Sequence, residues 1–158
     1  MIVRAARPDD AEAAATVLRR SIAELCQADH QDDSETLRRW LSNKTPEHVC
    51  AWIADPGNWL VVAEEEGRIL GVAAVQTSGR INLNYVLPEA RFRGVSKALL
   101  SELERQARAL CLKACTLEST RTALAFYRGM GYTEAGGPQQ GFGVAVGFPM
   151  RKNLGTAT

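Results

Sequence analysis

Between Trp59 and Leu87 the chain reads as three extended runs set so close together that few folds accommodate them. Trp59 to Glu65, Ile69 to Thr77 and Arg80 to Leu87 are separated only by Glu66-Gly67 and Ser78-Gly79. Punctuation that short between strand-like segments predicts an antiparallel meander. Pro88 stops the third run. From Gly94 the period becomes helical: Val95, Leu99, Leu103, Ala107 and Leu110 share one face, with Glu102, Arg105 and Arg108 directed elsewhere. A strand is expected around Lys113 to Ser119. Arg80 to Ser119 is then a strand–helix–strand unit, which should be parallel and right-handed.

The flanks follow from local signals. Ile2 to Arg7 reads as a short strand ended by Pro8. Asp9 or Asp10 can cap a helix with apolar positions Ala13, Val17, Ile22 and Leu25, fading near Cys26 to His30. Asp33 or Ser34 opens a second helix with Leu37, Trp40 and Leu41. Thr45-Pro46 starts a third, running to the turn Asp55-Pro56-Gly57. After Ser119 a helix contains Ala123, Phe126, Tyr127 and Met130, with Gly131 at its C-terminal cap. Two last strands, Tyr132 to Ala135 and Phe142 to Met150, flank a turn from Gly136 to Gly143. This order describes one α/β domain with no internal repeat.

Length and charge narrow the functions. A chain of 158 residues with 46% hydrophobic content suits one domain. A domain of that size buries about 68–70% of its unfolded surface and needs no staples. The net charge of +1 gives no electrostatic case for nucleic acid or an anionic membrane. No apolar run approaches the roughly 20 residues of a membrane span. Asp9, Asp10 and Glu12 interrupt the place where a signal peptide would carry its apolar core, so a cytoplasmic location is expected. Cys26, Cys50, Cys111 and Cys115 read as reduced thiols, and their spacing builds no zinc site; no metal is expected.

The chemistry concentrates in Tyr85 to Leu100, YVLPEARFRGVSKALL. A strand ends at proline, a short basic loop follows, and a helix begins at Gly94. Helix N-termini present unpaired N–H groups and the positive end of the dipole, so this is an anion site. Gly94 lets the backbone turn and approach a ligand. Ser96 is small and offers a hydroxyl, while Arg91, Arg93 and Lys97 add positive charge. An ordinary helix start with solvated arginines would look similar, and the loop matches neither a Walker A nor a dinucleotide fingerprint.

Context adds what the loop alone lacks. The segment resembles the acyl-CoA-binding signature of the GCN5-related N-acetyltransferases: Arg or Gln, two residues, Gly, one residue, then Gly or Ala. Arg91 and Gly94 match it, and Ser96 stands at the last position. Thr120 to Tyr132, TRTALAFYRGMGY, resembles the family's helix with an aromatic-Tyr pair before a Gly-aromatic step. Phe148-Pro149-Met150 is similar to its last strand. The element order agrees from Ile2 to Leu154.

The resemblance implies a single-domain acyl-CoA N-acyltransferase fold over residues 1–154, with residues 155–158 as a tail. Its sheet would be mixed, mostly antiparallel and flanked by helices. The implied activity is transfer of an acetyl group from acetyl-CoA to a primary amine, of a small molecule or a protein, by direct attack. The backbone of Tyr85, Val86 and Leu87 would pair with the pantetheine arm, and an amide there would polarise the carbonyl. Arg91 and the N–H groups of Phe92, Arg93, Gly94, Val95, Ser96 and Lys97 would hold the pyrophosphate. Thr120 stands where many relatives carry an asparagine that touches the cofactor. Dimerisation is a further expectation from the resemblance.

Tyr127 is the expected general acid, since a phenol with pKa about 10 is protonated at neutral pH and can donate to a departing thiolate. Glu118 is one option for the base. Asn84 and Asn82 cannot act as bases but could order a water, and Asn84 is placed at the acceptor. Asp29 and His30, in the link between the first helices, are assigned to acceptor binding, His30 because it would titrate in the useful range. Trp40, Trp52 and Trp59 could line a pocket. Two rival readings remain at this level: a catalytically silent acyl-CoA-binding module, and a phosphate or nucleic-acid module using Arg91, Arg93 and Lys97.

Overall fold

The structure is a computed structural model that describes residues 1–155; the rest of the tail, residues 156–158, lies outside it. Its strands are β1 (Ile2–Ala5), β2 (Asn58–Glu65), β3 (Arg68–Gln76), β4 (Arg80–Val86), β5 (Ala114–Ser119), β6 (Thr133–Glu134), β7 (Gln139–Gln140) and β8 (Val146–Asn153). Its helices are α1 (Ala11–Leu25), α2 (Gln27–His30), α3 (Ser34–Leu41), α4 (Pro46–Ala54), α5 (Val95–Ala109) and α6 (Leu124–Gly129). The sheet order is β1-β2-β3-β4-β5-β8-β6, and β7 pairs with β8 off that path. Every pairing is antiparallel except β4 with β5, the parallel strand–helix–strand unit. The expected mixed, mostly antiparallel sheet flanked by helices is what forms.

The meander forms because its punctuation is local and its runs are apolar. Leu60 to Ala63 and Ile69 to Val75 are continuously buried, as expected of central strands covered on both faces. Helix α5 places Val95, Leu99, Leu100, Leu103 and Ala107 in the core. Each leucine there is worth about 1.5–3 kcal/mol of burial. Gly71 of β3 is what lets α5 sit so close. A Cβ at that position would lie 2.8 Å from Leu99 Cδ1 and 2.9 Å from Val95 Cγ1.

One irregularity shapes the sheet centre. β3 pairs with β4 at Ala74–Leu83 and then Val75–Ile81, leaving Asn82 as an extra residue in β4. A bulge bends its strand. β4 and β5 pair only at Arg80–Thr116 and Ile81–Leu117, while β4 continues alongside β3 as far as Val86–Gly71. Beyond Asn82, therefore, the two parallel strands part and the β5-facing edge of β4 is open.

Several local expectations are corrected. Ala13 faces solvent, and α1 instead buries Ala11, Ala14, Ala15, Leu18 and Ile22 beside Val17. Asp10 precedes α1 without capping it; its carboxylate accepts from the Arg7 N–H (2.8 Å) and pairs with Arg4 (2.8 Å). Leu110 lies past the end of α5 and is exposed. Phe142 to Ala145 is a turn, so the last strand starts at Val146, and the stretch read as turn contains β7. Glu104, which has no apolar signature, is buried on α5 because Tyr132 Oη (2.8 Å) and Lys152 Nζ (2.9 Å) both donate to it.

Candidate active site

A groove of about 670 Å³ opens where β4, the end of α1, the start of α5 and α6 converge. That size falls in the range of small-molecule sites. Its floor at one end is the loop into α5. Gly94 occupies the N-cap with φ +79°, a conformation that favours glycine, and offers no side chain to the helix. The first N–H accepted within the helix is that of Ala98, bonded to Gly94 O at 3.0 Å. The N–H groups of Val95, Ser96 and Lys97 are the unpaired donors of the first turn, and no acidic residue stands beside them. The dipole and the basic side chains favour an anion here.

The basic residues divide. Arg91 and Lys97 line the groove, with the Arg91 guanidinium 4.6 Å from the Phe92 ring centre. Phe92 is 90% exposed and has φ +65°, an uncommon backbone state for a bulky residue. Arg93 turns away and pairs with Glu65 at 2.6 Å, so its side chain is not a groove residue.

Along β4 the open edge has a definite polarity. The Leu87 N–H donates to Leu70 O (2.8 Å), which consumes that amide in the sheet. Strand alternation then turns the backbone groups of Tyr85 toward β3, and those of Val86 and Asn84 toward the gap. Of the three residues expected to offer backbone, Val86 is the one whose amide faces the groove. The Tyr85 side chain lies against both sides of the opening, and burial pushes its phenol up. Cys26 forms part of the groove wall; burial pushes its thiol up to about 12, which keeps it neutral and unreactive.

A second cavity, of about 260 Å³, lies across the opening and is walled by Trp40, Lys44, Arg80, Glu118 and Phe142. A hollow of about 50 Å³ joins the two, sharing Asn84 and Tyr127 with the groove and Asn82 and Glu118 with the cavity. Tyr127 is 7% exposed and held edge-on between Phe126 (5.1 Å) and Tyr132 (5.6 Å). Burial pushes its phenol up to about 12, against a smaller downward pull from the Asn84 amide beside it. The phenol therefore keeps its proton at neutral pH and can donate it. Both amide atoms of Asn84 are buried, with the Tyr127 phenol as their polar neighbour and no close hydrogen-bond partner. Glu118 reaches the acceptor-side cavity, lies across Gly147 and pairs with Arg80 at 3.4 Å.

One assignment from the helix link is corrected. His30 is 0% exposed; its Nε2 lies 3.2 Å from Ala23 O and its Nδ1 accepts the Asp32 N–H at 3.0 Å. Both ring nitrogens are used, which fixes a structural imidazole rather than an acceptor ligand. Asp29 borders the second cavity, but its carboxylate accepts from the N–H of Arg121 (2.6 Å) and Thr122 (3.3 Å) and from the Thr122 hydroxyl (2.5 Å). It ties α2 to the loop that starts α6 and so positions Tyr127. Thr120 touches both groove and cavity, and its hydroxyl accepts the Ala123 N–H at 3.1 Å. Lys44 and Arg80 were missed, because only tertiary packing brings them to the site.

Comparison with known proteins agrees with this architecture. Residues 26–154 match the family described as acetyltransferase (GNAT) domain. The chain is 29% identical over 82 residues to the peptidyl-lysine N-acetyltransferase YiaC of Escherichia coli (strain K12), covering 52% of this chain and 53% of that protein. It thus spans about half the length of that curated relative. A GCN5-related N-acetyltransferase from Rhodopseudomonas palustris superposes with TM-score 0.85 at 22% identity, over 96% of this chain and 94% of the other. The PaiA N-acetyltransferase of Thermoplasma acidophilum, solved in complex with coenzyme A, gives 0.80 at 18% identity over 96% and 98%. Among the described residues no helix is long and apolar enough to cross a membrane. With its sheet order, its uncapped helix after β4 and a family match over most of its length, the chain belongs to the GNAT acetyltransferase family.

Proposed function

We propose that this protein transfers the acetyl group of acetyl-CoA to a primary amine by direct attack. The observation that carries the proposal is the opening between β4 and β5, where a donor-sized groove and a separate cavity meet beside Tyr127. The N–H groups of Val95, Ser96 and Lys97 hold the pyrophosphate, with Arg91 and Lys97 neutralising its charge. The open edge of β4 pairs with the pantetheine arm. There the Val86 N–H points at the thioester carbonyl and stabilises negative charge as it develops.

The amine enters from the cavity side. Glu118, directly or through a water ordered by Asn84, takes the proton of the ammonium, whose pKa of about 10.4 otherwise keeps it protonated. The C–N bond forms, the C–S bond breaks, and Tyr127 gives its proton to the departing thiolate. Asp29 acts through the loop at Arg121 and Thr122, holding the Tyr127 helix in register.

The test is acetyl-CoA turnover, followed by release of free thiol, against a panel of small amines and lysine peptides. Amine-dependent thiol release that follows saturation kinetics is expected. Saturable acetyl-CoA binding with no amine-dependent release across the panel would replace catalysis with the silent binding module.

A further inference from the structure

A lysine that the proposed mechanism leaves without a role sits at the centre of the acceptor side. Lys44, between α3 and α4, is 7% exposed and walls both the 260 Å³ cavity and a neighbouring one of about 350 Å³. Its Nζ donates to Trp40 O (3.3 Å) and Asn43 Oδ1 (2.5 Å), both neutral acceptors, which leaves one of three protons unassigned. The carboxylates facing these cavities make contacts of their own, none of them with Lys44. Asp29 is taken by the α6 loop, Glu118 pairs with Arg80, and Asp55 accepts the Gly57 N–H at 2.8 Å. Among the described residues no carboxylate forms an ion pair with Lys44.

A buried ammonium without a counter-ion is expensive, and burial pulls this one down to about 8. An anion in the cavity would relieve that cost. Arg80 shares the 260 Å³ cavity but pairs with Glu118 at 3.4 Å, so Lys44 is the one cation left over, which suits a singly charged carboxylate better than a phosphate of charge about −1.5 to −2. Asn58, whose Oδ1 is buried with no partner, also lines the far cavity. Lys44 shares its cavity walls with Asn82, two residues before Asn84 on β4.

We infer that the acceptor is an amine bearing a carboxylate, and that Lys44 is the residue that binds the carboxylate. This deepens the acetyltransferase reading and rests on it for the position of the amine. The carboxylate arm stands without it.

The experiment pairs two probes of one length, 6-aminohexanoate and the neutral 6-aminohexanamide, with wild type, Lys44→Met and Lys44→Gln. Wild type is expected to favour the acid in kcat/KM by at least about tenfold, as one charge-assisted hydrogen bond allows. Both variants should erase the preference by raising KM for the acid far more than KM for the amide. A second arm needs no turnover: calorimetry on the CoA-loaded protein, with hexanoate and hexanamide. Hexanoate should bind wild type and be lost in both variants, and hexanamide should bind none. Equal use of acid and amide by wild type overturns the inference even if the variants fail to fold. Hexanoate binding that survives Lys44→Met overturns it as well. If no amine is acetylated but hexanoate binds through Lys44, the acetyltransferase reading fails and the carboxylate site stands.

Discussion

Replacing Gly71 by alanine tests how packing beneath α5 controls the anion site above it. A methyl group there would sit 2.8 Å from Leu99 Cδ1, 2.9 Å from Val95 Cγ1 and 3.2 Å from Tyr85 O. Carbon pairs prefer roughly 3.5–4.0 Å, so the contacts are short by close to an ångström. Val95 and Leu99 are buried in the core, so relief is expected to come from the first turns of α5 lifting from β3. Overpacking of this kind costs about 1–3 kcal/mol, offset by about 0.4–1 kcal/mol of reduced unfolded-state entropy. The net expectation is a loss of roughly 1–2 kcal/mol, read from urea denaturation. The same lift moves the N–H groups of Val95, Ser96 and Lys97 off the pyrophosphate. Affinity for acetyl-CoA should therefore fall about tenfold or more, as loss of one hydrogen bond to a charged group predicts. Acetyl-pantetheine lacks the pyrophosphate, so its kcat/KM should change little. Unchanged acetyl-CoA affinity in a destabilised Gly71→Ala protein would refute the link between that contact and the anion site. An equal loss with both donors would refute it too.

Three other substitutions separate catalytic from structural roles. Tyr127→Phe should lower turnover by on the order of 10²–10⁴ with acetyl-CoA affinity unchanged, measured by thiol release and calorimetry; unaltered turnover removes Tyr127 as the acid. His30→Ala should cost about 2–4 kcal/mol of stability through a buried void and leave KM for the amine as it was; a stable protein with raised amine KM would restore His30 to the acceptor site. The Arg4 hydrogen bond, helped by the Arg7 N–H, holds the Asp10 carboxyl below its ordinary 3.8. Its contribution is therefore present above about pH 3.8 and disappears as pH falls through the lowered value. Asp10→Asn should cost on the order of 1 kcal/mol at neutral pH, with screening allowed for, and less in acid. Parallel urea-midpoint profiles for the two proteins from neutral to acid pH would contradict that.

How much of this was legible in the chain follows from the range of each interaction. The meander was visible because Glu66-Gly67 and Ser78-Gly79 act locally, and Gly94 announced the helix start for the same reason. The Asn82 bulge was not, since it exists only against β3, yet it parts β4 from β5 and creates the opening. Arg93 and Lys97 look alike in sequence; a glutamate 28 residues earlier decides that Arg93 turns away. Asp29 and His30 read as polar loop residues. Helix α2 buries them, and a contact to Thr122, 93 residues on, gives Asp29 its work. Lys44 carries no pattern at all, because its burial comes from the junction of two helices. The donor side was thus readable from short-range signals, and the acceptor side was not.

The central claim is that the uncapped first turn of α5 binds the pyrophosphate of acetyl-CoA. It is tested most directly by titrating coenzyme A into ¹⁵N-labelled protein and following the backbone amides. The account predicts that the amide signals of Val95, Ser96 and Lys97 move together and saturably, along with that of Val86 on the open edge of β4. Saturable binding that leaves the three α5 amides in place, or no binding at all, would contradict it.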